Sequence, residues 1–460
     1  MLLCDQVEEL NAKSPDQKFA LSNTFYNPFE VTVQMSVLPP LENQRLVLKC
    51  QQRPQMIEGH FRSRINMVNE CLEPGRRNMT ISVTVLGVAL LTVLMAYLVF
   101  GDDNDREGLV TLRLIGVVIR HGNRSPTELY PYDPHINYEW PGGLGSLSDK
   151  GSLQMLNLGK NLKVRYYKLI PSNGRYSKDN MYVVSSAAER CIMSAASFVA
   201  GFLPPLENRN ELPISWQPVP INSIPRDRDH ILAQKKPCPR YDEALKKLMN
   251  ANTTSNEIKA INEKNEALYE HLSKHTGNNI TNILDVELLY NTLEIEHEAG
   301  LTLPEWTEDV FPDKMLPLAE RNLELLTETP FMKKVKGGAL LTEIMEHMTK
   351  KRSRTLTPDR SIFIYSGHDV TLVNLMRALD IIDQTTKKPD FASALVLELH
   401  HSITFKDDFE VKIVYYFNSD DKFPKEISIP ECNSPCSLTQ FTRVMDKVTL
   451  RKYDMICSSV

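Results

Sequence analysis

Three short segments of the chain concentrate the residue types that could do chemistry. The three groups are Arg120, His121 and Arg124; Glu189 and Arg190; and Gly367, His368 and Asp369. Guanidinium groups stay charged at any working pH, and their paired N–H donors match the oxygens of phosphate. Three arginines beside two histidines and an aspartate therefore predict a site for a highly charged oxyanion.

Each group follows a short apolar stretch that is typical of a buried β-strand. The stretches are residues 109–119, 181–187 and 361–366, and segments with helical spacing lie between or after them. Such alternation predicts an α/β fold, a three-layer sandwich with a mostly parallel central sheet. Because the carboxyl ends of the strands form the ligand crevice of an open α/β sheet, we expect the three groups to converge there.

Each of these residues also has an interpretation that involves no ligand. Arg120 and Arg124 could be surface charges, and Arg190 could pair with a neighbouring acid. His368 could be a hydrogen-bonded structural histidine, and Asp369 could be the N-cap of the helix that follows it. The combination favours a functional site, since all the groups stand at strand ends.

The residue types fit phosphoryl transfer. A neutral imidazole at His121 could attack phosphorus while the three arginines stabilise charge on the phosphoryl oxygens. Asp369, if protonated, could supply a proton to the leaving alcohol, which predicts best activity at acidic pH. The sequence has no GxxxxGK[ST] motif, so a P-loop is not predicted.

The segment Arg120–Pro126, RHGNRSP, resembles the RHGxRxP signature of the histidine acid phosphatases, in the prostatic and lysosomal branch of the two-histidine phosphatase superfamily. Other segments similar to that family are WPGGLG at 140–145, Arg190 with MSA at 193–195, WQPVP at 216–220, LPEW at 303–306 and YSGHD at 365–369. The resemblance covers about residues 109–457. The HD pair, in place of HAE, points away from the multiple inositol polyphosphate phosphatases.

The resemblance implies a role for each matching residue. It implies His121 as the nucleophile that becomes phosphohistidine and Asp369 as the proton donor. The phosphate-binding residues that it implies are Arg120, Arg124, Arg190 and His368. Trp306 is similar to a tryptophan that lines the family's substrate pocket. No metal and no other cofactor is implied, and the partner is a phosphate monoester.

The resemblance and the sequence pattern together predict the domain organisation. Residues 109–457 would form the phosphatase domain, and about 205–330, proline-rich and then helical, would form a smaller, mainly helical cap inserted in it. Residues 1–78 lack sustained periodicity and are interpreted as a cytosolic or disordered segment. Members of the family often dimerise, so a homodimer is a further expectation.

The cysteines favour an oxidising compartment for the part of the chain after residue 100. Five of the eight cysteines lie there, and Cys432, Cys436 and Cys457 cluster near the C-terminus. By spacing alone, Cys432 and Cys436 would also suit the start of a metal site. The resemblance implies disulfides Cys238–Cys457 and Cys432–Cys436, and it leaves Cys191 as a free thiol.

Residues 79–100 form an apolar run without a charged residue. As a helix this run would span about 33 Å, enough for a bilayer core of about 30 Å. It predicts a transmembrane signal anchor, with a cleaved secretory signal as the alternative. Residues 101–460 would face the lumen or the exterior, where Asn252 and Asn279 stand in glycosylation sequons. The chain is thus expected in lysosomes, in endosomes or at the cell surface. It is expected to be secreted if the apolar run is cleaved.

The composition narrows the classes of function. The chain is 42% hydrophobic and 24% charged with a net charge of −5, so it lacks the basic footprint of a nucleic-acid-binding protein. We predict an acid phosphatase that hydrolyses phosphate monoesters. The alternatives are a membrane-anchored, non-catalytic phospholigand-binding protein with a retained pocket and a lipid-phosphate phosphatase of the lysophosphatidic acid type. A related mutase would share the histidine, but the helical insertion and the cysteines argue against it.

Overall fold

The computed structural model describes residues 19–27, 30–37, 111–206, 212, 214–249, 256–402 and 404–458. The predicted membrane run at 79–100 and the sequon at Asn252 lie outside these residues. Within the ranges given, no helix combines the length and the apolar character needed to cross a bilayer.

The chain divides into two compact units, Met1–Leu98 and Val99–Val460. In the first unit, β1 (Phe19–Asn27) and β2 (Glu30–Val37) pair as an antiparallel hairpin. The second unit contains every residue that the sequence singles out for chemistry.

The strands of the second unit are β3 (Leu112–Arg120), β4 (Met181–Ser186), β5 (Asn222–Ile224), β6 (Ile362–Gly367), β7 (Ala394–His401), β8 (Phe409–Tyr416) and β9 (Lys425–Ile427). Its α-helices are α1 (Asp149–Tyr166), α2 (Glu189–Phe202), α3 (Pro239–Met249), α4 (Asn256–Lys264), α5 (Glu266–Thr276), α6 (Ile283–Glu298), α7 (Leu316–Leu325), α8 (Pro330–Arg352), α9 (Asp369–Ala378), α10 (Leu438–Met445) and α11 (Tyr453–Cys457).

These seven strands form one mixed sheet in the order β5-β4-β6-β3-β7-β8-β9. The strands from β5 to β3 run parallel, whereas β7, β8 and β9 pair antiparallel with their neighbours. The prediction of a mostly parallel sheet therefore holds for one half only. The other half differs because β7, β8 and β9 follow one another without an intervening helix, and a short loop can join only antiparallel strands.

Helices cover both faces of the sheet. Along β3, Ile115, Val117 and Ile119 pack against the side chains of α1 and α2. The alternate residues Leu114 and Val118 pack against α8 and α9. Successive side chains of a strand point to opposite faces, so a strand that is apolar from residue 114 to residue 119 must lie between two layers. This arrangement confirms the predicted α/β sandwich.

The helices α4 to α7, here called the cap helices, share a separate apolar cluster. Its buried members include Tyr269 and Leu272 of α5 and Val286 and Leu293 of α6. They lie in the part of the sequence for which a mainly helical cap is predicted.

Among the described residues there are two disulfides, and they are the pairs that the resemblance implies. Cys238 at the start of α3 is bonded to Cys457 in α11, and Cys432 is bonded to Cys436. The bond between Cys432 and Cys436 removes the alternative of a metal site at these residues. Cys191 is a buried free thiol.

Candidate active site

The carboxyl ends of β3 and β6 bring the first and third groups together. The two strands run parallel, with Arg120 opposite Gly367. The backbone N–H of His121 donates to the Gly367 carbonyl at 3.1 Å, which ties the two strand ends directly. His121, His368 and Asp369 therefore leave the same edge of the sheet, as the sequence predicts.

His121 is held in one tautomer. Its Nδ1 lies 2.9 Å from the carbonyl oxygen of Gly122, and a carbonyl can only accept, so Nδ1 carries the proton. The Nε2 atom then keeps a lone pair. Burial, together with the positive charges of Arg190 and Arg120, lowers the pKa of His121 well below its usual value. The imidazole is therefore neutral and nucleophilic at acidic as well as neutral pH.

The arginines of the three groups are not surface charges. Arg120 and Arg124 are buried, and Arg190 is half-buried at the first turn of α2. Within the described part of the chain, the Nε–H groups of all three are buried without a hydrogen-bond partner. A buried donor without an acceptor is costly, so three of them in one site favour the binding of an oxyanion there.

Arg120 is fixed by three contacts. Its guanidinium forms an ion pair with Asp369 at 3.0 Å, donates to the carbonyl of Pro389, and lies 4.0 Å from the centre of the Phe391 ring. The ring of Phe391 is also 5.8 Å from the His121 ring. An apolar ring thus lies beside the nucleophile, and its low polarity strengthens the electrostatic interactions of the site.

His368 caps α9 and points into the site. Its Nδ1 accepts from Arg190 at 3.4 Å, so its proton is on Nε2, which donates to the Ser186 hydroxyl at 3.0 Å. Burial and the charge of Arg190 lower the pKa of His368 to about 3. Its ring centre is 5.6 Å from that of His121. The two histidines are therefore close neighbours and both neutral.

Asp369 is ionised in the ligand-free site. Burial alone would raise its pKa, but the charges of Arg120 and Lys388 hold the pKa of this carboxyl well below its usual range. The structure also shows that Asp369 is not the N-cap of α9, because His368 and Thr371 form the capping box and Asp369 is the first helical residue. One buried carboxylate against three guanidinium groups leaves the site with a net positive charge.

Asn123 belongs to the site, although its role was not recognised from the sequence. Its Nδ2 donates to Glu298 at 2.7 Å, and its Oδ1 accepts from the hydroxyl of Ser148 at 2.6 Å. It thereby ties the segment between His121 and Arg124 to α6 and to the N-cap of α1. Its only sequence signal was its place inside the RHGNRSP segment, and its sequon is buried at this position.

Other predicted residues lie apart from this group. Trp306 packs in the cap, with its ring 5.7 Å from that of His275 and 6.2 Å from that of Tyr130. No described contact joins it to the phosphate-binding residues. Asn279 is exposed at the surface of the cap. Over the described residues, no group of three or more His, Cys, Asp or Glu side chains is arranged to hold a metal ion.

The fold and the site together define a class of protein. A mixed α/β sheet places a neutral histidine with a free Nε2 beside three arginines whose Nε–H donors lack an acceptor among the described residues. Such a site suits a protein that transfers a phosphoryl group to and from histidine.

Comparison with known proteins identifies the family. Residues 111–416 match the histidine phosphatase superfamily, branch 2, and the chain belongs to that family. It is 31% identical to human lysosomal acid phosphatase over 352 residues, which cover 75% of this chain and 80% of the relative. It is 29% identical to bovine prostatic acid phosphatase over 388 residues, 83% of this chain and 97% of the relative.

Solved structures show the same fold. The apo form of Hafnia alvei phytase superposes with a TM-score of 0.56 at 19% sequence identity, over 76% of this chain and 98% of the phytase. At this level of identity the likeness supports the fold and not the substrate.

Proposed function

We propose that the chain hydrolyses phosphate monoesters through a phosphohistidine formed on His121. Its family and its acid phosphatase relatives make it a phosphoric monoester hydrolase. In the first step, Nε2 of His121 attacks phosphorus, the P–O bond to the alcohol breaks, and Asp369 gives the departing oxygen its proton. In the second step, water attacks the phosphohistidine, loses a proton to Asp369, and phosphate leaves.

The observation that carries the proposal is the combination of one free lone pair with three unpartnered arginine donors. The Nδ1–H of His121 is used by its backbone contact, which leaves the lone pair of Nε2 free. The buried Nε–H groups of Arg120, Arg124 and Arg190 have no acceptor among the described residues. Phosphoryl oxygens would fill these donors as charge develops in the transition state. His368, which the resemblance assigns to the phosphate-binding set, accepts from Arg190 at 3.4 Å and would position that guanidinium for the phosphate.

The proposed acid role of Asp369 requires that substrate binding change its ionisation. The free site holds Asp369 as a carboxylate because Arg120 pairs with it. A bound phosphate monoester places negative charge beside the carboxylate and competes for the same guanidinium, and both effects raise the pKa of Asp369. A lower pH then favours the protonated, donating form, so activity should be greatest under acidic conditions.

The first experiment separates catalysis from binding. We expect His121→Ala to lose at least about a thousandfold in kcat on an aryl phosphate at acidic pH without added metal. Normal hydrolysis by this variant would eliminate the mechanism. Phosphate binding without turnover by the unaltered chain would instead favour a non-catalytic phospholigand-binding protein.

A second experiment tests the proton donor through the leaving group. Asp369→Asn should reduce kcat/KM, which reports the steps up to release of the alcohol and not the later hydrolysis of phosphohistidine, about a hundredfold or more for an alkyl phosphate, because alkoxide is a poor leaving group that needs a proton. The loss should be much smaller for p-nitrophenyl phosphate, whose leaving group departs as a stable anion. Equal losses on both substrates would contradict a proton-donor role.

The compartment and the partners form the remaining part of the proposal. The disulfides and the likeness to lysosomal and prostatic acid phosphatases favour a lysosomal, endosomal, cell-surface or secreted phosphatase domain. Residues 79–100 would tether it to the membrane as a signal anchor, and glycans would be carried at Asn252 and Asn279. Fractionation with and without carbonate extraction tests the tether, and sedimentation tests the homodimer common in the family.

A further inference from the structure

The turn that carries His368 and Asp369 is held by the side chain of Thr371. The Thr371 hydroxyl accepts from the backbone N–H of His368 at 3.0 Å and donates to the carbonyl oxygen of Leu232 at 2.8 Å. A hydroxyl has one proton, and a carbonyl can only accept, so that proton points to Leu232. A lone pair of the hydroxyl is then directed at the N–H of His368. Thr371 therefore ties the turn to the segment around Leu232.

The contact between Thr371 and the turn is close as well as directional. Thr371 is buried, and a Cβ atom added to Gly367 would lie 2.7 Å from its hydroxyl oxygen and 3.0 Å from its Cβ. The carbonyl of the same Gly367 accepts from the backbone N–H of His121 at 3.1 Å. The end of β6 is therefore held by the backbone of the nucleophile and by the Thr371 side chain together.

The loop of residues 229–234, here called the support loop, keeps the Leu232 carbonyl in place. The buried carboxylate of Asp229 accepts from three consecutive backbone N–H groups at 2.8–2.9 Å, those of Ile231, Leu232 and Ala233. A side chain that bonds the backbone of its own loop in this way fixes the local conformation. The carbonyl that orients the Thr371 hydroxyl is therefore part of a closed, internally bonded turn.

The support loop is also bound to α9, the helix that Asp369 begins. Asn374 lies three positions after Thr371, so the two residues share one side of α9. The side-chain amide of Asn374 donates to Oε1 of Gln234 at 2.6 Å. The backbone carbonyl of Gln234 accepts from Nζ of Lys336 in α8 at 2.8 Å. Two helices thus hold the support loop, and it can serve as a rigid partner for Thr371.

The carboxyl group of Asp369 depends on this turn for its orientation. Its Oδ2 pairs with Arg120 at 3.0 Å, and its Oδ1 accepts from the backbone N–H of Val370 at 2.8 Å. A bound phosphate competes for Arg120 in the proposed mechanism, which weakens the first of these contacts. The backbone of the turn then holds the donor, and Thr371 is the side chain that fixes this backbone.

We propose that Thr371 is a positioning residue for the proton donor, and that its hydroxyl, oriented by the support loop, fixes the turn that directs Asp369 at the leaving oxygen. The inference rests on the proposed function and adds to it the residue that positions the donor. No chemical step is assigned to Thr371. A misplaced donor slows only the step that it assists, so the loss of rate should depend on how strongly the leaving group needs a proton.

The test compares benzyl phosphate with p-nitrophenyl phosphate, two substrates of similar size whose leaving groups differ in their need for a proton. The quantity measured is the ratio of their kcat/KM values, because changes in phosphate binding affect both substrates and cancel. Thr371→Val keeps the shape of the side chain and removes the hydroxyl, so we expect the ratio, benzyl over nitrophenyl, to fall about tenfold. Thr371→Ser keeps the hydroxyl and should restore the ratio of the unaltered chain.

An Asp369→Asn background shows whether Thr371 acts through the donor. In that background the ratio is already low, and the addition of Thr371→Val should lower it no further, because residues that act through one group are not additive. The matched control is Thr355→Val, the same replacement at an exposed position after α8, which should leave the ratio of the unaltered chain unchanged.

An unchanged ratio in Thr371→Val, whether both substrates lose activity equally or neither does, would overturn the positioning role, as would a further fall in the Asp369→Asn background. If Thr371→Val does not fold, Asp229→Asn replaces it. The new amide cannot accept from all three N–H groups, so the ratio should fall in the same direction, and an unchanged ratio would overturn the role. An unchanged ratio in Asp369→Asn itself would instead overturn the proposed donor, so the two failures are distinguishable.

Discussion

At the scale of the residue, the chemistry of the site depends on which ring nitrogen of each histidine donates a hydrogen bond and which one carries the lone pair. His121 donates a hydrogen bond from Nδ1–H to a backbone carbonyl, so its lone pair is on Nε2. His368 is bonded in the opposite sense, with its Nε2 proton on Ser186 and its Nδ1 lone pair toward Arg190. The same residue type therefore supplies a nucleophile at one strand end and a hydrogen-bond donor at the next.

Asn123 offers a test of positioning at this scale. Asn123→Ala would remove the hydrogen bond that the buried Asn123 amide donates to Glu298 and the one that it accepts from Ser148, so the free energy of unfolding should fall by roughly 1–3 kcal/mol. The segment that carries His121 and Arg124 would also lose its anchor, and kcat should fall about tenfold or more. Denaturant unfolding and steady-state kinetics measure both effects.

The exposed Asn278 provides the control for this substitution, since Asn278→Ala removes the same side chain from a solvent-facing loop of the cap. Unchanged kcat in Asn123→Ala would show that the segment between His121 and Arg124 is held without this side chain.

At the scale of the element, the first turn of α1 must approach the loop after β3 closely. A Cβ atom added to Gly151 would lie 2.1 Å from the carbonyl oxygen of Asn123, and one added to Gly122 would lie 2.3 Å from that of Gly151. Neither contact involves a flexible side chain. The two glycines therefore let the helix support the loop that carries the nucleophile.

Gly151→Ala should separate these two elements. We expect a loss of about 1–3 kcal/mol in the free energy of unfolding, because overpacking forces the backbone to move. A displaced loop should also raise the KM for an aryl phosphate and lower kcat. Leu153→Ala, two residues along the same helix at an exposed position, is the control. A Gly151→Ala variant as stable and as active as the unaltered chain would contradict the close packing of α1 against the loop after β3.

At the scale of the whole molecule, a buried carboxyl pair in the cap links stability to pH. Glu296 and Asp133 are both buried, and neither oxygen of Glu296 has a hydrogen-bond partner within the described ranges. Burial and the neighbouring Asp133 raise the pKa of Glu296 to about 9. Because the folded state holds this proton more tightly than the unfolded chain, the stabilisation is complete below about pH 4.5 and decreases as the pH rises toward 9.

Glu296→Gln should remove this dependence. The free energy of unfolding of the unaltered chain should decrease between pH 5 and pH 8 by up to about 1.4 kcal/mol per pH unit, the limit for one proton. The variant should show a flatter profile and be the more stable protein at pH 8. Glu308→Gln, at an exposed position, is the control. Parallel profiles for the variant and the unaltered chain would contradict the raised pKa of Glu296.

The sequence predicts the convergence of the site because parallel strand ends share an edge, whatever the intervening segments do. It could not predict the partners of Asn123, since Ser148 and Glu298 lie 25 and 175 residues away. The sequence pattern does not indicate the antiparallel half of the sheet, because alternating strands and helices predict parallel neighbours and no helix separates β7 from β8.

The covalent step is tested most directly by finding where the phosphoryl group is attached. The full chain would be mixed with p-nitrophenyl phosphate, quenched in alkali because phosphohistidine is labile to acid, digested, and mapped by mass spectrometry. We expect one phosphorylated peptide, modified at His121, and none in His121→Ala. Turnover with no phosphorylated peptide in repeated rapid quenches, or a phosphoryl group on another residue, would contradict the proposed mechanism.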